Sequence, residues 1–278
     1  MTPSTMIEEI LPPGVRSAEA FDDLAPAPLF PEEAALMAGR WERRQRQFAT
    51  ARACARRAQA ELGLDPGPLL PGAGGAPRWP AGVVGSITHC DGYRAAVVAR
   101  TTDVAALGID AERAEPLPRG VLGLVASDGE RAVVERLAAG RPGVPWDRLL
   151  FSAKEAVYKA WFPATGRWLG FADARVEPAD DGTFEAWLHP EDPPVGAPTH
   201  YAGRWMVRGE LLLTAVAPRA VRPARPFPAH SPASSISAAP GGDSPVGAPA
   251  GTTLVSGPAR PYGPGRPAAA PTGTRRPS

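Results

Sequence analysis

At 278 residues, with a formal charge of +1 and 44% hydrophobic residues, the chain can form one large or two small domains around a true core. Near-neutral charge excludes a global pull toward nucleic acid or an acidic membrane, and the two cysteines, Cys54 and Cys90, make neither a disulfide framework nor a metal-ligand pattern. Pro12-Pro13 interrupts the N-terminus and no apolar run approaches a membrane span, so the expectation is a soluble cytoplasmic protein with no membrane partner.

Residues 1–30, with Pro12, Pro13, Pro26 and Pro28, are expected to be extended or irregular. Pro31-Glu32-Glu33 places proline and acids in a first helical turn, and the spacing predicts a helix running to Leu62, broken near Thr50 and ended by Gly63. Its apolar stripe is Phe48, Ala51, Ala55, Ala58 and Leu62. Arg43, Arg46 and Arg57 fall opposite that stripe, as a solvated face. Arg44 and Arg52, four residues either side of Phe48, fall on or beside it. A guanidinium turned toward the core needs an anionic partner, which is either one of the chain's own acids or a phosphate.

Residues 63–82 are rich in glycine and proline and read as a loop. Val83–Thr88 reads as a strand ending at His89, followed by the turn Cys90-Asp91-Gly92 and a second strand from Tyr93 to Arg100. His89 therefore sits at a strand end, either as a structural histidine or where a ligand can approach closely. Ala105–Glu112 is a short apolar strand ending in acid-x-acid, with Asp110 and Glu112 on one face. Carboxylates so placed repel each other unless a cation lies between them, and hard oxygens suit magnesium; the alternative is a strand end fraying into solvent.

Asp128–Ala139 is predicted helical on the apolar positions Val133, Val134 and Leu137. In the next segment, Phe151–Ala160 (FSAKEAVYKA), Glu155 and Lys159 share a helical face and Lys154 sits beside Glu155. Two readings stand. Ser152 and Glu155 could form a capping box at the start of a surface helix, or the acid and two lysines could hold a divalent cation and a polyphosphate together. Strand-like pieces follow at 174–177, 183–188, 203–207 and 211–216. From Val221 the chain is Pro, Ala, Gly, Ser and Arg with almost nothing to bury, and disorder is expected over 221–278. The element order suggests α+β halves.

Asp110, Glu112 and Glu155 supply three carboxylates from separate segments, while Lys154, Lys159, His89, Arg44 and Arg52 supply donors for a polyanion. This favours chemistry on a pyrophosphate-bearing metabolite. No GxxxxGK[ST] loop is present, which disfavours a P-loop nucleotide hydrolase.

The ordered motifs GSITHC at 85–90, LGIDAE at 107–112 and FSAKEAVYKAWF at 151–162 resemble the 4′-phosphopantetheinyl transferases. The match is to the monomeric type that activates siderophore, peptide and polyketide synthases. The helix around Phe48, the PRWPAGVVGS approach and the WDRLLFSAKE lead-in match too, so the resemblance covers roughly residues 8–220. It implies two similar α+β halves, 1–105 and 106–220, packed as an intramolecular pseudodimer.

The activity implied is transfer of the phosphopantetheine arm of coenzyme A to a serine of an apo acyl, peptidyl or aryl carrier protein, releasing 3′,5′-ADP. By the same resemblance Asp110, Glu112 and Glu155 bind magnesium, with manganese as a possible substitute. Glu155 is the general base, and Lys159 neutralises or protonates the departing phosphate. Lys154, His89, Arg44 and Arg52 grip coenzyme A phosphates, and Tyr158 and Trp168 line the pantetheine arm. The loop before PRWP departs from the family, with Pro71, Gly74 and Ala76 where basic or polar residues are common. The phosphate grip is then either weaker or supplied by Arg78. The rival expectations are a non-catalytic relative that binds coenzyme A or a carrier protein, and a nucleic-acid binder using the arginine helix. The near-zero charge and the lack of stacking aromatics among the arginines disfavour the second.

Overall fold

The computed structural model describes residues 5–220, so the tail expected to be disordered lies outside the described residues. Its first half runs β1 (Arg16–Ala20), α1 (Pro31–Met37), α2 (Glu42–Glu61), β2 (Val83–Cys90) and β3 (Tyr93–Arg100). The chain continues through β4 (Gly108–Arg113), α3 (Leu122–Val125), α4 (Asp128–Gly140) and α5 (Trp146–Thr165). It ends with β5 (Ala174–Pro178), β6 (Thr183–Leu188), β7 (His200–Arg208) and β8 (Leu211–Val216). The fold is α+β. The strands form two antiparallel sheets, ordered β1-β3-β2 and β4-β8-β7-β6-β5.

β3 is the centre of the first sheet, which is why its sequence, YRAAVVAR, is apolar on both faces. Ala96 and Val98 meet Cys54, Ala55 and Ala58 of α2. The alternate residues Tyr93, Ala95, Val97 and Ala99 join a core with Ile109 of β4 and Leu213 of β8. Small residues on α2 let the helix lie close to the sheet. On the second sheet, α5 packs over β4 and β8 with Trp146, Leu149, Leu150, Ala153 and Trp161 buried. Gly108 is what allows this approach: a Cβ there would lie 1.9 Å from the Ala156 carbonyl oxygen.

β2 and β4 belong to different sheets but lie side by side, and side chains stitch them together. The Ser86 hydroxyl accepts from the Ile109 N–H at 3.1 Å and the Thr88 hydroxyl from the Ala111 N–H at 3.0 Å. Buried backbone donors of β4 are thereby satisfied without a strand ladder.

Three expectations are corrected. Residues 1–30 are not irregular throughout: Met6–Ile10 forms a 3-10 turn and β1 is an edge strand. Two of its polar residues are hydrogen-bonded, Glu19 accepting from the Tyr93 hydroxyl at 2.8 Å and the buried Ser17 donating to Glu8, so the apolar alternation that signals a strand is weak. The predicted long helix breaks at Ala38–Trp41 rather than near Thr50, whose hydroxyl instead bonds back to the Arg46 carbonyl inside α2. Ser152 is no N-cap. Helix α5 starts at Trp146, so Ser152 and Glu155 are interior positions and no capping box exists there.

Candidate active site

Strand alternation puts Asp110 and Glu112 on the same side of β4, as expected. Asp110 is buried and collects three donors from two elements, α5 and β2. Lys159 Nζ of α5 lies 2.6 Å from Oδ1, Ser152 Oγ donates to Oδ2 at 2.8 Å, and the Thr88 hydroxyl lies 3.4 Å from Oδ1. Glu112 accepts from Arg148 Nη1 at 2.9 Å, and Arg148 is itself fixed by the carbonyls of Glu115 and Pro116. Glu155 accepts no hydrogen bond among the described residues. Burial first, and then the charge of Asp110, push both Glu112 and Glu155 above the usual carboxylate range.

No three His, Cys, Asp or Glu side chains among the described residues are gathered as a ready metal cage. The donor chemistry nevertheless fits a divalent cation: the groups are hard oxygens, and two of them are disfavoured as anions by burial and then by a third beside them.

Beside these acids lies a cavity of about 520 Å³, and Arg44, Arg52, His89, Glu155 and Lys159 all contribute to its wall. Arg44 Nη1 lies 2.9 Å from His89 Nε2. A guanidinium cannot accept, so the imidazole accepts at Nε2 and is neutral. Burial, followed by Arg44, Arg94 and Lys159, lowers the His89 pKa below 6.5 and favours that form. Arg52 stacks on Phe48, 4.3 Å from the ring centroid, and donates Nε to the Leu69 carbonyl at 3.0 Å. Arg78 is exposed and outside the cavity wall.

Lys154 has a different job from the one expected. It is 3% exposed, and its ammonium is consumed by the Val125 carbonyl at 2.7 Å, the Phe171 carbonyl at 2.8 Å and the Glu130 carboxylate at 2.8 Å. Glu130 also accepts from Ser127 and from the Val176 N–H at 2.8 Å. Lys154 is thus a strut joining α3, α4, α5 and the turn that precedes β5, not a phosphate ligand. A second cavity, of about 400 Å³, opens on this side between Glu155, Tyr158, Trp168 and Phe171. Trp168 is 73% exposed and meets Tyr158 edge-on at 5.1 Å. Glu155 and Tyr158 line both cavities.

Similarity to known proteins agrees with this geometry. The 4′-phosphopantetheinyl transferase Svp of Streptomyces mobaraensis is 52% identical over 219 residues, covering 76% of this chain and 89% of Svp. The 4′-phosphopantetheinyl transferases PptT of Mycobacterium tuberculosis and Npt of Nocardia iowensis are 44% and 45% identical, covering 78% and 76% of this chain and 99% of each relative. The 4′-phosphopantetheinyl transferase N-terminal domain matches residues 32–99, and the 4′-phosphopantetheinyl transferase superfamily matches 106–206. The chain belongs to the 4′-phosphopantetheinyl transferase family. It is an enzyme that transfers phosphopantetheine to carrier proteins.

In this phosphopantetheinyl transferase, sequence reasoning missed Arg148, Ser152 and Thr88 as partners of the acids. Arg148 has no local signal, because its target lies on a strand far along the chain. Thr88 and Ser152 lie inside recognised motifs. Their roles become visible only when β2 and α5 converge on β4.

Proposed function

We propose that this transferase moves the phosphopantetheine arm of coenzyme A to a serine of an apo acyl, peptidyl or aryl carrier protein in a magnesium-dependent reaction that releases 3′,5′-ADP. The observation that carries the reading is that Glu155 and Tyr158 line both cavities. The larger one, with Arg44, Arg52 and His89 in its wall, suits the nucleotide end of coenzyme A. The smaller one, walled by Tyr158, Trp168 and Phe171, suits the pantetheine arm.

Asp110, Glu112 and Glu155 would hold a divalent cation, magnesium or manganese, which when bound supplies charge neutralisation for the pyrophosphate. Glu155 takes the proton of the carrier serine, directly or through water; its raised pKa makes it a better base than an ordinary carboxylate. The serine oxygen bonds to the phosphorus bearing the pantetheine arm as the phosphorus–oxygen bond to ADP breaks. Lys159 neutralises or protonates the departing phosphate, held at Asp110 by its 2.6 Å contact.

The two halves, 1–105 and 106–220, are read as a pseudodimer acting as a monomer in the cytoplasm. In support, the first strand of each sheet pairs with its last, β1 with β3 and β4 with β8, and each half lays a long helix on that pair. No helix among the described residues is long and apolar enough to cross a membrane.

The test is mass spectrometry of a panel of apo carrier proteins incubated with the enzyme, coenzyme A and magnesium. A mass gain of one phosphopantetheine per carrier, lost on chelation and in Asp110→Ala and Glu155→Ala, is the expected result. Undiminished transfer by either variant would sink the site assignment.

A further inference from the structure

Glu33, in the first turn of α1, is a carboxylate with 0% exposure. Its carboxylate takes the Leu69 N–H on Oε1 at 2.9 Å, the Phe30 N–H on Oε2 at 3.1 Å, and Arg56 Nη1 on Oε2 at 2.9 Å. Arg52 Nε lies 3.9 Å from Oε1 and donates to the Leu69 carbonyl at 3.0 Å. The Leu69 peptide is therefore held at both ends, its N–H by Glu33 and its carbonyl by Arg52.

Leu69 is also the root of a small hairpin. The Arg78 N–H bonds to the Leu70 carbonyl at 2.9 Å, the Gly72 N–H to the Ala76 carbonyl at 2.7 Å, and Pro71 bridges Pro77. At its tip Gly74, with φ +58°, lies against the Phe162 ring of α5, so close that a Cβ would sit 2.4 Å from Cζ. Pro71, Gly74 and Phe162 belong to the wall of the larger cavity, as does Arg52. With Nε committed to Leu69, neither terminal nitrogen of Arg52 has a hydrogen-bond partner among the described residues, and these are the donors left for a ligand. Glu33 is the group whose charge opposes the burial that lowers the Arg52 pKa to about 10.

We infer that Glu33 is a positioning residue for donor binding: by holding Leu69 and Arg52 it sets the 70–78 wall and the guanidinium of the larger cavity. The inference rests on the reading of that cavity as the coenzyme A site. A residue acting this way affects the donor's ground-state binding, and leaves chemistry and the carrier alone.

The experiment is steady-state kinetics of wild type, Glu33→Gln, Arg52→Gln and the double variant, varying coenzyme A and the carrier in turn. Glu33→Gln should raise KM for coenzyme A about tenfold, with kcat and the carrier KM within about twofold of wild type. The double variant should show less than the product of the two single effects, since Glu33 acts in part through Arg52. An unchanged coenzyme A KM in folded Glu33→Gln, a fall in kcat alone, or fully multiplicative effects would each overturn the inference. Should Glu33→Gln not fold, hydrogen exchange on the unmodified enzyme decides. Coenzyme A should slow exchange of the Leu69 amide, because coupling between the cavity and that bond is reciprocal, and unchanged exchange overturns the inference. A wild type that neither binds nor uses coenzyme A would instead refute the functional reading.

Discussion

Ser152 Oγ donates to Asp110 Oδ2 at 2.8 Å from the interior of α5, and the same hydroxyl lies 2.9 Å from Thr214 Oγ1 on β8. A fully buried serine thus links helix, acidic strand and neighbouring strand at one point. Ser152→Ala removes a donor from a buried carboxylate and leaves Thr214 one partner short. A stability loss of about 1–3 kcal/mol is expected, measured by denaturant unfolding, together with weaker activation by magnesium as Asp110 loses its fixed orientation.

Two lysines of the same helix should part company on substitution. Lys154→Met breaks a buried pair and leaves Glu130 uncompensated, which costs about 3–5 kcal/mol. Lys159 is partly exposed, and Lys159→Met should cost clearly less stability while slowing transfer on the order of 10²-fold. Parallel thermal melts and transfer assays separate the two. Equal stability losses would contradict the strut assigned to Lys154.

The raised pKa values of Glu112 and Glu155 give a signed pH dependence. A carboxylate whose folded pKa lies above its ordinary 4.5 contributes stability at low pH that is lost as pH rises through the raised value. The metal-free enzyme should therefore lose stability across that window. A divalent cation relieves the repulsion, so its affinity should rise with pH over the same range, with proton release on binding. Melting temperature against pH, with and without magnesium, checks the first; titration calorimetry in buffers of different ionisation enthalpy checks the second. Asp110→Asn, which removes the like charge but not the burial, should weaken the pH dependence of stability without abolishing it.

Gly108→Ala tests the contact between α5 and β4. The added Cβ would meet the Ala156 carbonyl oxygen at 1.9 Å and the Ala160 nitrogen at 2.6 Å, and neither backbone atom can yield without moving the helix. A loss of about 1–3 kcal/mol is expected. Because that shift separates Glu155 and Lys159 from Asp110, transfer should fall even at temperatures where the variant is fully folded by circular dichroism.

Much of the site was legible in the chain itself. Asp110 with Glu112, and Glu155 with Lys159, are local pairs whose shared faces follow from the periods of strand and helix, and β2, β3, β6 and β8 announce themselves by short apolar runs. Part of the Lys154 result was also there to be read. At a hundred degrees per residue, Lys154 and Lys159 cannot share one face of α5, so a single ligand could not use both in the same way.

Other features depend on segments far apart in sequence. β1 is a strand because β3 lies beside it, and its polar residues find partners on β3 and on the N-terminal 3-10 turn, Tyr93 for Glu19 and Glu8 for Ser17. Ser152 changes from apparent helix cap to Asp110 ligand because the helix begins earlier, at Trp146, and presses on β4 through Gly108. Glu33 looks like an ordinary first-turn acid until Leu69, Arg52 and Arg56 close over it. Local chemistry and periodicity determined which residues could act together. Which of them do so was decided by packing, because burial obliges each charge and each backbone donor to find a partner, and only the folded chain says which partner is within reach.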